Sequence, residues 1–175
     1  MRDWPARRPG EIPSPKLVAA WIALGMAPTE RIPLWAAHWL VDGHDGPDLR
    51  TLASLGGTDS HEVHDVVREA LADCHTFIPD SVTAAARTAF TYLARLHADG
   101  LVSEAWIVDE VDGILIQTGY PESVIDLHLG KVSYCFDEWG ESWGRPTHLL
   151  EAEVRKACAA QLAAGPGGHG AITGK

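Results

Sequence analysis

A stripe of apolar residues between positions 82 and 98 constrains the fold of this chain more than any other feature. Its members recur at intervals of three and four residues, the spacing of one face of an α-helix: Ala86, Ala89, Phe90, Leu93 and Leu96. Asp80 or Ser81 can cap the amino-terminal end, and Gly100 follows where a helix would stop. The pattern therefore predicts a long helix over 82–98 with one face packed on a core.

The residues before this helix show helical apolar spacing as well. The pattern predicts four shorter helices, over 15–26, 29–41, 48–55 and 59–73. The segment 42–48 is predicted to be a loop, because glycine, proline and aspartate are concentrated in it. The amino-terminal half is thus expected to be helical.

From Leu101 onward the apolar period changes to two, which is typical of strands. Asp112-Gly113 separates residues 105–111 from 114–118, and Gly130-Lys131 separates 123–129 from 132–137, as in two hairpins. The alternation predicts a four-stranded antiparallel meander packed through one apolar face, to which Val132, Tyr134 and Phe136 belong. A last helix over 146–163 is expected to cover it. The expected fold class is therefore α+β.

Local composition and the predicted elements also indicate how the chain is divided. Residues 1–15 read as an extended basic arm and 164–175 as a flexible tail, because prolines and arginines dominate the first and glycines the second. Between them we expect a helical subdomain over 16–78 and an α-β4-α subdomain over 79–163.

Charge and cysteine usage limit the function classes. With 14 Lys and Arg against 24 Asp and Glu, the net charge is −10, which disfavours nucleic acid and membrane surfaces and favours a basic protein partner. Cys74, Cys135 and Cys158 show neither disulfide nor zinc spacing. With no apolar leader or membrane-spanning run, the sequence predicts a cytoplasmic protein without a cofactor.

One stretch, residues 49–68, resembles the helix-turn-helix of bacterial regulators. Ala53, Gly57 and Val63 match its pattern of a small residue, a glycine and a β-branched residue, which lets two helices cross closely. A transcriptional regulator that uses this pair, helped by the basic arm with Arg2, Arg7 and Arg8, is therefore one alternative function.

The charge of that stretch argues against DNA. A recognition helix needs Arg, Lys, Asn or Gln at its outward positions. Only one of the six outward positions here carries such a residue: Asp59, Ser60, His61, His64, Asp65 and Arg68. Residues 42–73 carry eight acids against two arginines. We therefore expect the pair to be a packing unit of the core.

A second alternative is a small metal-dependent enzyme. His61 and His64 are three residues apart and can share one helix face, although a metalloprotease helix requires a spacing of four. His44 and Asp45 precede them and could complete a ligand set for zinc or manganese. Turn and surface positions explain the same residues without a metal, so no metal site is predicted.

A third candidate is a polar patch on the predicted sheet. His128, Cys135 and Asp137 would point outward together if the last two strands paired around the Gly130-Lys131 turn. The sequence leaves open whether this patch is catalytic, because neither a cleft nor an oxyanion donor is indicated.

The preferred function is a non-enzymatic protein-binding module with an acidic, aromatic-bearing sheet face, as in an immunity or antitoxin-like protein. Residues 104–143 hold nine acids against one lysine, interleaved with aromatic residues that suit an interface with a basic partner. The loop 139–144 places two tryptophans between glycines. The expected partner-binding residues are Trp139, Trp143, Glu138, Glu141, Asp137 and Asp126. The oligomeric state is left open.

Overall fold

The computed structural model describes residues 11–57 and 59–165. Over these ranges the chain consists of helices and turns and contains no β-strand. It divides into two compact units, Met1–Ala85 and Ala86–Lys175. Most of the predicted arm and tail, including Arg2, Arg7 and Arg8, lies outside the described residues.

The first unit contains four helices. These are α1 (Pro15–Ala23), α2 (Ile32–Val41), α3 (Pro47–Ser54) and α4 (Ser60–Asp73), with a 3₁₀ turn at Thr29–Arg31 before α2. The Ser14 hydroxyl caps α1 by accepting a hydrogen bond from the backbone N–H of Leu17. The four predicted helices are confirmed, with ends that shift by a few residues.

Tryptophans form much of the core of this unit. Trp39 is 2% exposed, and its indole Nε1 donates to the carbonyl oxygen of Pro13 at 2.9 Å. The rings of Trp21 and Trp35 lie 5.9 Å apart at 51°. A hydrogen bond therefore ties the segment before α1 to α2 through a buried ring.

A side-chain cap ties the end of α4 to the start of α3, and the connection between the two helices passes close to Glu30. Asp73, the last residue of α4, accepts hydrogen bonds through Oδ2 from the backbone N–H groups of Asp48 and Leu49, at 3.0 and 2.9 Å. It thereby caps the start of α3, where Gly46 offers no side chain. At the other end Gly57 has a φ of +69°, and a Cβ there would lie 2.4 Å from the carbonyl oxygen of Glu30.

The long helix predicted from the apolar stripe is confirmed. Helix α5 spans Val82–Ala98, and all five stripe residues are buried. The second unit continues with α6 (Glu104–Thr118), the single turns α7 (Glu122–Ile125) and α8 (Cys135–Glu138), and α9 (Thr147–Ala163). A 3₁₀ turn at Gly130–Val132 lies between α7 and α8.

The predicted meander, and with it the α+β class and the α-β4-α subdomain, is wrong. The Asp112-Gly113 pair lies inside α6, not in a turn. Five buried residues show the reason, since they follow helical spacing across the pair: Ile107, Val108, Val111, Ile114 and Leu115. The Ser103 hydroxyl starts the helix by accepting from Trp106 N–H, and the chain leaves it only at Gly119.

The second predicted hairpin, over 123–137, is also wrong. This segment buries Val124, Leu129, Val132 and Cys135 at intervals of three and five residues, which short helical turns provide and a strand does not. Tyr134 and Phe136, predicted to face the core with Val132, are 49% and 46% exposed. The segment therefore places aromatic rings at the surface.

No helix in the described part of the chain is long and apolar enough to cross a membrane.

Candidate functional site

The most distinctive surface feature of the second unit is a pocket of about 290 Å³. It is lined by three aromatic side chains, two carboxylates and one hydroxyl: Tyr120, Tyr134, Phe136, Asp112, Asp137 and Ser133. We call it the Tyr120 pocket. It combines apolar ring surface with negative charge, and its lining includes no Lys, Arg or His.

The end of α6 positions the first two of these residues. Gly119 N–H donates to the carbonyl oxygen of Ile116, and Tyr120 N–H donates to that of Leu115 at 2.9 Å, the paired bonds of a Schellman cap. Gly119 and Tyr120 both have positive φ, +77° and +55°. For a tyrosine this backbone conformation is strained, so the surrounding contacts must hold it in place.

Asp112 supplies one such contact. It is 9% exposed, and its Oδ1 accepts a hydrogen bond from the Tyr120 hydroxyl at 2.9 Å. This bond raises the pKa of Tyr120, with burial and the charges of Asp112 and Asp137 acting in the same direction. The phenol therefore stays protonated and fixed to one wall of the pocket.

A charged cluster lies directly after the pocket residues in the chain. Arg145 donates two parallel hydrogen bonds to Glu138, from Nε to Oε2 at 2.8 Å and from Nη2 to Oε1 at 3.0 Å. Its Nη1 donates a third to Glu153 at 2.9 Å. The guanidinium also lies 5.0 Å from the centre of the Tyr134 ring, whose hydroxyl donates to Glu153. We call these four side chains the Arg145 clamp.

The clamp closes the loop that carries the two predicted tryptophans. Because Glu138 precedes Trp139 and Arg145 follows Gly144, their forked pair joins the two ends of residues 139–144. Backbone N–H of Arg145 also donates to Glu138 Oε2 at 3.1 Å. Trp143 is 67% exposed on this loop, whereas Trp139 is only partly exposed.

Acid is expected to destabilise the second unit through this clamp. Hydrogen bonds from Arg145 lower the pKa of Glu138, and those from Tyr134 and Arg145 lower the pKa of Glu153, against an ordinary value of 4.5. Carboxylates with lowered folded-state pKa values stabilise fully above the unfolded value. That contribution disappears as pH falls through the folded values. Stability should therefore hold from pH 7 to about 4.5 and decline below.

Urea unfolding measured at several pH values checks this expectation. In Glu138→Gln the free energy of unfolding should fall less steeply at acid pH, because the variant has no carboxylate to protonate at that position. Glu122→Gln, which changes an exposed carboxylate outside the clamp, serves as the control. An acid decline in Glu138→Gln as steep as in the unaltered chain would contradict the role of the clamp.

The predicted polar patch does not form an exposed group of three side chains. Cys135 is fully buried, with its thiol 3.8 Å from Glu153 Oε2 and 4.0 Å from Arg145 Nη2. His128 and Asp137 are exposed, and no hairpin joins them to Cys135. Burial, followed by the charge of Glu153, raises the pKa of the Cys135 thiol, which disfavours the thiolate that a nucleophile needs.

The other predicted partner-binding residues fall into two groups. Asp126, Asp137 and Glu141 are exposed, as a docking surface requires. Glu138 is instead held by Arg145, so its charge is already compensated. The sheet face on which these residues were placed does not exist, and the residues now lie on turns and on the loop.

The residues of the metal alternative do not form a ligand set. Within 11–57 and 59–165, no three His, Cys, Asp or Glu side chains are grouped as they would be around an ion. Asp45 Oδ2 accepts a hydrogen bond from Arg50 at 2.6 Å, and His61 and His64 are exposed on α4.

The outward face of α4 has the predicted acidic character. Asp59, His61, His64 and Asp65 are all exposed, and Arg68 is the one Lys or Arg on the helix. The pair α3 and α4 thus packs closely, but its exposed helix would meet DNA with negative charge.

The pocket was not predicted from the sequence, because the residues that line it were assigned to a turn and to the core. Asp112 was expected in a turn, and Tyr134 and Phe136 were expected in the core. A signal was available at Gly119, since a glycine after an apolar helical stripe marks a helix end and would have placed Tyr120 just beyond it.

Comparisons with known proteins give no further guide to function. No protein family model, curated protein or solved structure matches this chain.

Proposed function

We propose that this chain is a non-enzymatic binding protein whose second unit docks on a basic partner protein. One observation carries the proposal: four aromatic side chains are 46–67% exposed within an acidic stretch of the chain. They are Tyr120, Tyr134, Phe136 and Trp143. Exposed aromatic rings supply most of the energy of many interfaces.

The charge of the same stretch supports a basic partner. Residues 104–143 hold nine acids, and Lys131 is their one Lys or Arg. Such a field accelerates association with a cationic surface and disfavours anionic ones. An immunity or antitoxin-like protein that neutralises a cationic toxin or nuclease fits this chemistry.

We propose that the protein is located in the cytoplasm. Cys74, Cys135 and Cys158 are all buried as free thiols, which suits a reducing compartment. Burial raises the pKa of Cys74 to about 11 and that of Cys158 to about 12, so both thiols are neutral near pH 7.

Affinity capture at low salt, followed by binding measurements with the isolated partner, tests this function. We expect a basic protein whose affinity falls as salt rises, and a loss of about 30-fold for Trp143→Ala, the effect of an aromatic hot spot. Leu34→Ala is the matched control, because Leu34 is 61% exposed but belongs to the first unit.

Two results would reject the proposal. One is a specific partner that is acidic or binds independently of salt. The other is an isolated partner that binds Trp143→Ala and the unaltered chain equally well. Salt-dependent binding of duplex DNA would favour the helix-turn-helix alternative instead, and its loss on changing Arg50 or Arg68 would locate that site on α3 and α4.

A further inference from the structure

The lining of the Tyr120 pocket defines the chemistry of a ligand. Tyr120, Tyr134 and Phe136 present aromatic rings, whose faces carry negative electrostatic potential and attract cations. Asp112 and Asp137 add two carboxylates, and no cationic side chain lines the pocket to neutralise them. An anion would be repelled from this site, and an apolar group would strip water from the carboxylates without replacing its hydrogen bonds.

The side chains of Tyr120 and Tyr134 are held in place before any ligand arrives, the second by the bond from its hydroxyl to Glu153. Tyr120 is fixed at its backbone by the hydrogen bond to Leu115 and at its hydroxyl by the bond to Asp112. Asp112 is itself nine-tenths buried. A pocket that is already ordered loses little conformational entropy on binding, so even a single side chain can bind measurably.

In the Arg145 clamp, next to the pocket, an arginine already binds between an aromatic ring and a carboxylate. Arg145 lies over the ring of Tyr134, one of the pocket residues, and forks onto the carboxylate of Glu138. A guanidinium can stack on rings and donate two parallel hydrogen bonds at once, whereas an ammonium is a compact, strongly hydrated charge. Glu138 and Glu153 compensate the charge of Arg145, so it does not oppose a second cation nearby.

The pocket is large enough for the end of a long side chain. Its volume of about 290 Å³ is many times the space that one water molecule needs. That space exceeds what one ion needs and leaves room for a guanidinium with part of its aliphatic stem.

We propose that the Tyr120 pocket binds an arginine side chain of the basic partner. The inference rests on the proposed function for the source of that arginine, but the pocket itself can be tested without any partner. In the bound state the guanidinium lies against the aromatic rings and donates to the exposed carboxylate of Asp137.

The test is a titration of the full-length chain with N-acetyl-arginine amide, followed by amide chemical shifts. We expect saturable shifts at residues of the Tyr120 pocket with millimolar affinity. The citrulline analogue has nearly the same shape without the charge and should bind at least tenfold more weakly, as should the lysine analogue.

Two variants locate the site. Asp137→Asn should weaken the arginine probe about tenfold, the loss of one charge-assisted hydrogen bond. Glu122→Gln removes an exposed carboxylate that does not line the pocket and should leave the affinity unchanged. Both positions are exposed, so neither variant is expected to disturb folding.

The possible outcomes separate this inference from the proposed function. No saturable shift, equal binding of the citrulline analogue, equal or tighter binding of the lysine analogue, or equal effects of the two variants would each overturn the arginine pocket. If a basic partner is captured through Trp143 but the probe does not bind, the function stands and the pocket inference fails. If the probe binds but no basic partner exists, the function fails and the pocket stands.

Discussion

Replacing Trp39 with alanine is expected to lower the free energy of unfolding by about 3–5 kcal/mol, because the change leaves a large cavity in a core that cannot fully collapse. Trp39 is 2% exposed and lies among the buried residues of the first unit. The change also removes the donor that satisfies the Pro13 carbonyl oxygen. Urea unfolding followed by circular dichroism measures the loss.

Two variants separate the causes of this effect. Trp39→Phe keeps most of the ring but loses the indole N–H, so it should cost less than alanine and still release the segment before α1. Trp143→Ala removes the same side chain from a position that is 67% exposed, and its stability should change by no more than about 0.5 kcal/mol. Equal losses at positions 39 and 143 would contradict the described core.

Replacing Gly57 with alanine is expected to lower the free energy of unfolding by about 2–4 kcal/mol. The φ of +69° costs an alanine about 1–2 kcal/mol. Its Cβ would also lie 2.4 Å from the carbonyl oxygen of Glu30, so the 3₁₀ turn at Thr29–Arg31 would have to move. Thermal and urea unfolding both measure the change.

Gly43 provides the matched control. Its φ is +99°, but nothing lies within 4 Å of a Cβ at that position. Gly43→Ala therefore tests the backbone conformation alone and should cost about 1–2 kcal/mol. If Gly57→Ala cost no more than Gly43→Ala, the close approach to Glu30 would not be a feature of the folded chain in solution.

The two units differ in how their exposed apolar side chains are surrounded. The first unit also exposes large side chains, among them Leu34, Val41 and Phe77. In the second unit, however, the exposed residues are mostly aromatic, and three of them share a pocket with two carboxylates. Scattered apolar residues are ordinary on protein surfaces, whereas rings combined with charge in a concave site select a ligand.

The α3–α4 pair is packed as closely as a helix-turn-helix, but this packing does not by itself indicate DNA binding. Ala53, Gly57 and Val63 are compatible with a tight crossing, and Asp73 adds a cap from the end of α4 to the start of α3. These features stabilise the pair whatever it contacts. The charge of the outward face, not the shape, argues against nucleic acid as its partner.

The amino-acid sequence by itself determined the helices of the first unit, α5 and α9. In each case apolar residues recur over several turns, and capping residues or glycines stand at the ends. The acidity of residues 104–143 and the loop with Trp139 and Trp143 were also evident from sequence. Such features are local, so they are present in the pattern before the chain folds.

Only the tertiary structure decided the form of residues 101–145. Over seven or eight residues, an apolar alternation and an Asp-Gly pair fit a hairpin as well as they fit part of a helix, and burial resolves the ambiguity. In α6 the continuous stripe from Ile107 to Leu115 is buried, and the helix runs through Gly113. The short turns that follow α6 expose Tyr134 and Phe136 and bring them beside Tyr120 and Asp112. This grouping joins residues from separate elements, so the local pattern of apolar residues could not indicate it.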